Sequence, residues 1–189
     1  VELTGAFLRG TTIGGIEQTE LFNASLNIID ADQIANLGTI TLAGNAVTAG
    51  GTIRMDNGDG QVADFSGLTL LPGQSFNIDS LLALGETITI DLSGASVDNS
   101  NAIDIDGGSS DDFLIASDAA EDFNGFGGID TISYEAAGAG VIIDLDAQTI
   151  GGAGGTGDDI AAVENAVGSD FDDDVIGSSA DNSVDGRDG

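Results

Sequence analysis

The sequence predicts an all-β protein that folds as a parallel β-roll or β-solenoid, preceded by a more irregular solenoid-like repeat region. Three observations lead to this prediction: short segments of alternating apolar residues, 30 glycines against one proline, and a nine-residue periodicity in the second half of the chain. Short alternating segments separated by Gly, Asn, Asp and Ser are typical of strands joined by tight turns.

Four segments show the alternation most clearly, and we expect each to be a strand. They are "TITL" at 39–42, "FNID" at 76–79, "TITIDL" at 87–92 and "AIDID" at 102–106.

Residues 1–97 contain a loose internal repeat. "SLNIIDADQIANLGTITLAG" begins at Ser25 and "SFNIDSLLALGETITIDLSG" begins at Ser75. Both suggest a strand, an Asp that could cap a helix (Asp30 and Asp79), a short helical turn and a second strand. Repeated units of this kind stack to share one core. Chance similarity between glycine-rich strands is the alternative explanation.

Residues 98–189 contain a stricter repeat that begins at Gly107. Cut into nines, it is GGSSDDFLI, ASDAAEDFN and GFGGIDTIS, with an acid at each sixth place (Asp112, Glu121, Asp130) and a large apolar residue at each eighth (Leu114, Phe123, Ile132). If each nonamer is a six-residue loop and a three-residue strand, loops on one edge recur every 18 residues. Residues 107–112 then stack on residues 125–130, and the apolar eighth residues form a thin core.

The charge of the chain points to cations as its partners. It has 33 Asp and Glu, 3 Lys and Arg and no His, so its net charge is -30. Nucleic acids and anionic membranes bind clustered Lys and Arg, so neither is an expected partner. Two carboxylates stacked about 4.8 Å apart repel by roughly 3 kcal/mol, so a cation should lie between them. Carboxylate and glycyl carbonyl oxygens suit Ca²⁺ and suit Zn²⁺ or Cu²⁺ poorly.

Three motifs in order resemble the RTX (repeats-in-toxin) family, and residues 125–185 look like the C-terminal β-roll region of serralysin-type secreted proteins. The motifs are the glycine loop with "DTISY" from Asp130, "VEN" from Val163 and "GSDFDDDVIG" from Gly168. The resemblance implies a β-roll that binds calcium between stacked loops.

The family's calcium scheme implies three ligand sets in this chain. The first is Gly108, Ser110 and Asp112 with Gly125, Gly127 and Asp130. The second is Gly128 and Asp130 with Ala162 and Glu164. The third is Ser169, Phe171 and Asp173 with Gly186, Asp188 and a residue beyond Gly189. The glycines and Ser110 would bind through their backbone carbonyls.

The chain departs from the family pattern at several places. Ser110, Phe126 and Phe171 stand where the family prefers glycine, Glu121 replaces Asp, and Asn182 replaces Asp in "GSSADN". The middle nonamer also lacks its glycines, so we expect no strong metal site there.

Catalysis is not expected in this chain. Without His or Lys, a Ser or Thr nucleophile has no base, and without Cys there is no thiol nucleophile. Only paired carboxylates could hydrolyse a substrate, and the adjacent acids Asp158–Asp159 and Asp172–Asp174 are explained better as ligands or solvated flanks.

The leading hypothesis is a secreted, calcium-binding structural module of a bacterial surface layer, adhesin or extracellular filament, which folds on meeting calcium outside a Gram-negative cell. Self-association or contact with neighbouring domains of a larger surface protein would accompany that role. The alternative is the non-catalytic C-terminal part of an enzyme exported by type I secretion. A third hypothesis is a carbohydrate-binding or ice-binding surface, with Thr39, Thr41, Thr87 and Thr89 as an outward ladder.

The ends of the sequence also lead to expectations. No run approaches the length of a membrane span, and Val1 opens no signal peptide. We therefore expect either that the chain is a processed fragment or that it is exported by a route that reads no N-terminal signal. "GRDG" at Gly186 begins a further loop without completing it, so we expect the roll to continue beyond Gly189.

Overall fold

The structure is a computed structural model that describes residues 2–3, 7–8, 18–21, 25–30, 39–42, 50–57, 60–70, 75–80, 87–97 and 102–189. Within these ranges the chain forms 21 strands and no helix, so the prediction of an all-β protein is confirmed. Among the described residues, there is no helix that is long and apolar enough to cross a membrane.

Most strands are two to six residues long, as expected for a chain broken by frequent turns. The first eleven are β1 (Glu2–Leu3), β2 (Phe7–Leu8), β3 (Gln18–Leu21), β4 (Ser25–Asp30), β5 (Thr39–Leu42), β6 (Gly50–Asn57), β7 (Gln61–Asp64), β8 (Leu68–Leu70), β9 (Ser75–Ser80), β10 (Thr87–Asp91) and β11 (Ser96–Val97). The others are β12 (Ala102–Asp106), β13 (Asp111–Ile115), β14 (Ala120–Asn124), β15 (Thr131–Ser133), β16 (Val141–Asp144), β17 (Thr149–Gly152), β18 (Asp159–Ala161), β19 (Asn165–Val167), β20 (Asp174–Ile176) and β21 (Val184–Asp185). Strands lie at all four segments that the alternation predicted.

The strands form three sheets. A five-stranded sheet has the order β1-β3-β5-β8-β11, and a six-stranded sheet has the order β21-β19-β15-β13-β10-β7. A ten-stranded sheet has the order β2-β4-β6-β9-β12-β14-β18-β17-β16-β20. Neighbouring strands are parallel except where β17 pairs with β16 and β18. This parallel pairing is consistent with the predicted roll or solenoid.

From here on, a turn means one circuit of the chain through the sheets, and these turns are longer before β12 than after it. From β6 to β12 it visits the ten-, six- and five-stranded sheets in succession, and Asn77 in β9 lies beside Asp104 in β12, 27 residues later. From β12 to β15 it alternates between the ten- and six-stranded sheets, and Asp112 contacts Asp130, 18 residues later. The predicted recurrence every 18 residues is therefore present in this segment.

An inserted hairpin interrupts the shorter turns. Strands β16 and β17 pair antiparallel, and they extend the ten-stranded sheet between β18 and β20. Because of this hairpin, Asp130 meets its next partner, Glu164, only after 34 residues. The 18-residue spacing returns after β19, where Asn165 contacts Ser183.

The core follows the sheets. Leu114, Phe123 and Ile132 are buried, as their eighth-place positions predicted, and Tyr134 is the bulkiest fully buried residue of the described chain. In the longer turns, Phe65 and Phe76 pack edge to face with ring centres 6.1 Å apart.

The repeat of residues 25–44 and 75–94 is placed unevenly. Strands β4 and β9 share the ten-stranded sheet, but β5 lies in the five-stranded sheet and β10 in the six-stranded sheet. The four threonines of "TITL" and "TITI" therefore do not form one ladder. Asp30 and Asp79 lie in strands, and the helical turns expected after them fall outside the described residues. The ten- and six-stranded sheets both contain strands from residues 1–97 and strands from residues 98–189.

We predict that Ile105→Ala lowers the free energy of unfolding by about 2–5 kcal/mol, because Ile105 is fully buried in β12 and its loss leaves a cavity. The matched variant is Ile142→Ala, since Ile142 is also a strand isoleucine but is 46% exposed. It should cost about 0.5 kcal/mol or less. Urea denaturation of both variants in the same buffer measures the difference, and equal losses would contradict this placement of the core.

Candidate metal centre

Two predicted loops lie directly on top of each other. Strand β13 follows the loop at 107–112 and pairs in parallel with β15, which follows the loop at 125–130. The backbone N–H of Asp112 donates to Oδ1 of Asp130 at 2.8 Å. The N–H of Gly127 donates to the carbonyl of Gly108 at 3.1 Å. The 18-residue register thus brings together the two halves of the first predicted ligand set.

Both carboxylates of this stack are buried and incompletely bonded. Asp112 is 2% exposed and Asp130 is 1% exposed. Ser110 Oγ donates to Oδ1 of Asp112 at 2.8 Å. Among the described residues, the buried side-chain oxygens without a hydrogen-bond partner are Ser80 Oγ, Asp112 Oδ2, Glu121 Oε2 and Asp130 Oδ2. An unpartnered buried polar atom costs about 1–3 kcal/mol, and more when it is charged, so each carboxylate needs a proton or a cation.

The electrostatics lead to the same requirement. Burial raises the pKa of Asp112 to about 7, partly offset by the Ser110 hydrogen bond, and the charges of Asp130 and Asp111 raise it further. Burial also raises the pKa of Asp130 to about 6. Arg187 is the single basic residue whose side chain the structure describes, and it binds Asp170 and Glu135 instead. The ionised stack therefore has no positive charge beside it within the described chain.

Glycines make room for closely spaced oxygen atoms. A Cβ built on Gly107 would lie 2.5 Å from Asp112 Oδ2 and 3.2 Å from the carbonyl oxygen of Gly125. A Cβ on Gly125 would meet Asp130 Oδ2 and would lie 2.5 Å from the carbonyl oxygen of Ala162. Carboxylate and carbonyl oxygens thus gather at both glycines. This donor set, with its two unpartnered carboxylate oxygens, fits a hard divalent cation.

The loop backbone is left-handed even at the place where phenylalanine replaces glycine. Gly108 and Phe126 occupy the second place of their loops and have φ angles of 103° and 62°. Arg187 has the corresponding place in the last loop, with φ of 52°. A left-handed conformation costs a residue with Cβ roughly 1–2 kcal/mol. The loops therefore keep their backbone at Phe126 despite the missing glycine.

The second predicted ligand set is also brought together. The N–H of Asp130 donates to Oε2 of Glu164 at 2.9 Å, and the N–H of Glu164 donates to the carbonyl of Asp130 at 3.1 Å. Gly128 and Ala162 both have positive φ, at 137° and 52°. Asp130 therefore lies between Asp112 on one side and Glu164 on the other.

The same edge ends in a neutral side chain. Asn182 Nδ2 donates to the carbonyl of Glu164 at 2.7 Å, 18 residues away, and Asn182 Oδ1 accepts from the N–H of Ser178 at 2.7 Å. We call Asp112, Asp130, Glu164 and Asn182, which follow one another along this edge, the first column. At Asn182 an amide donates the hydrogen bond that a carboxylate could not.

The third predicted ligand set is close in space but differs in its bonding. The backbone of Gly168 donates to the carbonyl of Asp185 at 2.8 Å, and a Cβ on Gly189 would meet the carbonyl oxygen of Phe171. Thus the loop of Ser169, Phe171 and Asp173 stacks on the segment of Gly186 and Asp188, and both of these last residues are exposed.

The carboxylate of this third set already has partners. Ser169 donates to Asp173 through its N–H at 2.8 Å and its hydroxyl at 2.7 Å, and Val141 N–H donates at 2.9 Å. Arg187 Nε lies 2.8 Å from Asp170 Oδ1 in the same stack. Because Asp173 has donors on both oxygens and a guanidinium is nearby, this stack needs a cation less than the first does.

A second acidic stack lies on the opposite edge, where sequence reasoning expected no strong site. Glu121 N–H donates to Oδ1 of Asp158 at 3.0 Å, and Tyr134 hydroxyl donates to Oδ2 of Asp158 at 2.7 Å. We call Glu121 and Asp158 the second column. They are 37 residues apart with the inserted hairpin between them, so no nine-residue period connects them. The available signal was that Asp158, like Asp130, comes immediately before a strand.

In the described part of the chain, no group of three or more Asp or Glu side chains is arranged to hold a metal ion. In the first column only two carboxylates share each contact, and the other oxygens are backbone carbonyls.

No family model, no curated protein and no solved structure matches the chain.

Proposed function

We propose that residues 98–189 form an RTX-type β-roll that binds Ca²⁺ in the first column, and that the chain is a structural module of a secreted bacterial protein. One observation carries this proposal: Asp112 and Asp130 are stacked and buried, and each leaves Oδ2 without a partner. The sequence resemblance to the RTX family supports it independently.

The proposed ligands are the members of the first predicted set. Asp112 and Asp130 would supply carboxylate oxygens, and the other members of the first set, Gly108, Ser110, Gly125 and Gly127, would supply backbone carbonyls. Ca²⁺ accepts six to eight oxygen ligands in flexible geometry, whereas Mg²⁺ requires a tighter octahedron and keeps its waters. A site that offers two carboxylates and several backbone carbonyls therefore favours Ca²⁺.

Calcium would also link folding to the cell exterior. The net charge of -30 opposes compaction until some of the acids are neutralised. Both halves of the site come together only when β13 pairs with β15, so the binding free energy adds to the folding free energy. Weak extracellular calcium modules bind in the range of about 0.1–1 mM. The chain would thus fold after export.

We predict that chelation of calcium lowers the melting temperature. Free calcium at about 100 times its Kd adds about 2.7 kcal/mol of stability, which corresponds to roughly 5–10 °C for a chain of this size. Thermal melts followed by circular dichroism in calcium, in magnesium and in chelator measure the effect. An identical melt in all three would contradict the proposed function.

We predict that Asp130→Asn weakens calcium binding about tenfold or more, because affinity follows the number of charged ligands and each tenfold step is about 1.4 kcal/mol. In chelator the same variant should melt at or above the wild-type temperature, because an amide replaces a buried charge without a counter-ion. Asn182 already occupies an equivalent place in the fold. Calcium titration calorimetry and paired melts measure the two effects.

Asp118→Asn is the matched control for this variant, because Asp118 is an exposed carboxylate outside the first column. It should change neither the affinity nor the melts. If Asp130→Asn destabilised the chain equally in calcium and in chelator, Asp130 would be a structural hydrogen-bonding residue and not a ligand.

A further inference from the structure

The second column repeats the geometry of the first on the other edge of the short turns. The distance from Glu121 N to Asp158 Oδ1 is 3.0 Å, against 2.8 Å from Asp112 N to Asp130 Oδ1. Glu121 is 1% exposed and its Oε2 has no partner, while Asp158 is 4% exposed. Two acids are therefore buried together here as well.

The two columns differ in what surrounds the second carboxylate. Asp130 Oδ2 is unpartnered, but Asp158 Oδ2 accepts the hydroxyl of Tyr134 at 2.7 Å. Ser117 donates to Glu121 Oε1 through both its hydroxyl and its N–H. Only Oε2 of Glu121 then lacks a partner, and a single proton placed between the two carboxyl groups would satisfy it.

The space around the second column holds fewer possible metal ligands. A Cβ built on Gly157 would lie 3.2 Å from the Cβ of Ala120. A Cβ built on Gly155 would meet the side chain of Ile150, and would lie 3.2 Å from the carbonyl oxygen of Gly151 and 3.5 Å from the ring of Tyr134. Ala116 and Ala119, in the loop that carries Ser117, are buried. The glycines of this column thus face mainly methyl groups and an aromatic ring, with one carbonyl oxygen, whereas Gly107 and Gly125 each face both a carbonyl and a carboxylate oxygen.

We propose that the second column is closed by a shared proton and not by a metal ion: Glu121 remains protonated in the folded chain, donates to Asp158, and gives the proton up only in alkaline solution. The backbone N–H of Glu121 and the hydroxyl of Tyr134 supply the other donors to Asp158. This edge would then be independent of calcium and sensitive to pH.

The charged neighbours of Glu121 support a retained proton. Burial, followed by the charge of Asp158, raises the pKa of Glu121 to about 8, and burial also raises the pKa of Asp158. Burial raises the pKa of Tyr134 well above its usual value, so its hydroxyl stays a donor. Asp122 is the other acid that acts on Asp158, and Arg187 is bonded elsewhere. The proton is shared, so the pair titrates as a unit.

The direction of the pH effect follows from these shifts. The folded pKa of Glu121 lies above its unfolded value, so the folded chain holds the proton more tightly than the unfolded chain. The contribution to stability is complete below about pH 4.5 and declines as pH rises to about 8, where the folded chain also loses the proton.

Glu121→Gln tests the proposal, because glutamine keeps the shape and a donor but cannot ionise. We expect the wild-type melting temperature minus the variant's to fall by about 3–5 °C per pH unit between pH 5 and 8. Above pH 9 this difference should stay constant. Both proteins are melted in saturating calcium, so the first column contributes equally to both. A difference that stayed constant from pH 5 to 9 would overturn the proposal.

Two further measurements keep the test decisive. In saturating calcium at pH 7, the infrared spectrum of wild type should show a neutral carboxylic acid band that is absent from Glu121→Gln. A wild-type spectrum without that band would overturn the proposal even if the variant failed to fold. The number of bound calcium ions should be equal in the two proteins. Loss of one ion in the variant would show that a metal closes this column, whereas failure of calcium binding in both would contradict only the proposed function.

Discussion

The stacking of Asp112 on Asp130 is the contact on which the second half of the chain depends. Parallel strands that recur every 18 residues force equivalent residues of successive loops to lie one above the other. Here those residues are acids, and the same register buries them. The sheets can therefore close in their ionised form only if each buried pair gains a positive partner.

The chain meets this requirement in different ways at different levels of the fold. At Asp112 and Asp130, oxygen atoms surround unpartnered carboxylates, and we propose calcium there. At Glu121 and Asp158, the Tyr134 hydroxyl and, in our proposal, a shared proton take that place. At Asn182, an amide makes the stacking hydrogen bond directly. These three places differ in how a buried carboxylate is neutralised or replaced, and not in the strands that flank them.

The sequence predicted the parts of the fold that its periodicity determines. Because each loop with its strand has nine residues, only one pairing register between successive loops fits the repeat. The stacked loops and the burial of Leu114 and Phe123 could therefore be deduced. The hairpin of β16 and β17 removed the period, so the partnership of Glu121 with Asp158 could not. The longer turns have no fixed motif: Ser25 pairs with Thr52 and Thr52 with Asn77, so the similarity near a 50-residue spacing spans two turns.

An X-ray structure of the chain crystallised with calcium, with anomalous scattering recorded, tests the central claim most directly. The account predicts an anomalous peak between residues 107–112 and 125–130, about 2.3–2.6 Å from carboxylate oxygens of Asp112 and Asp130. It predicts none between Glu121 and Asp158. Absence of the first peak, with water or protons completing Asp112 and Asp130, would contradict it.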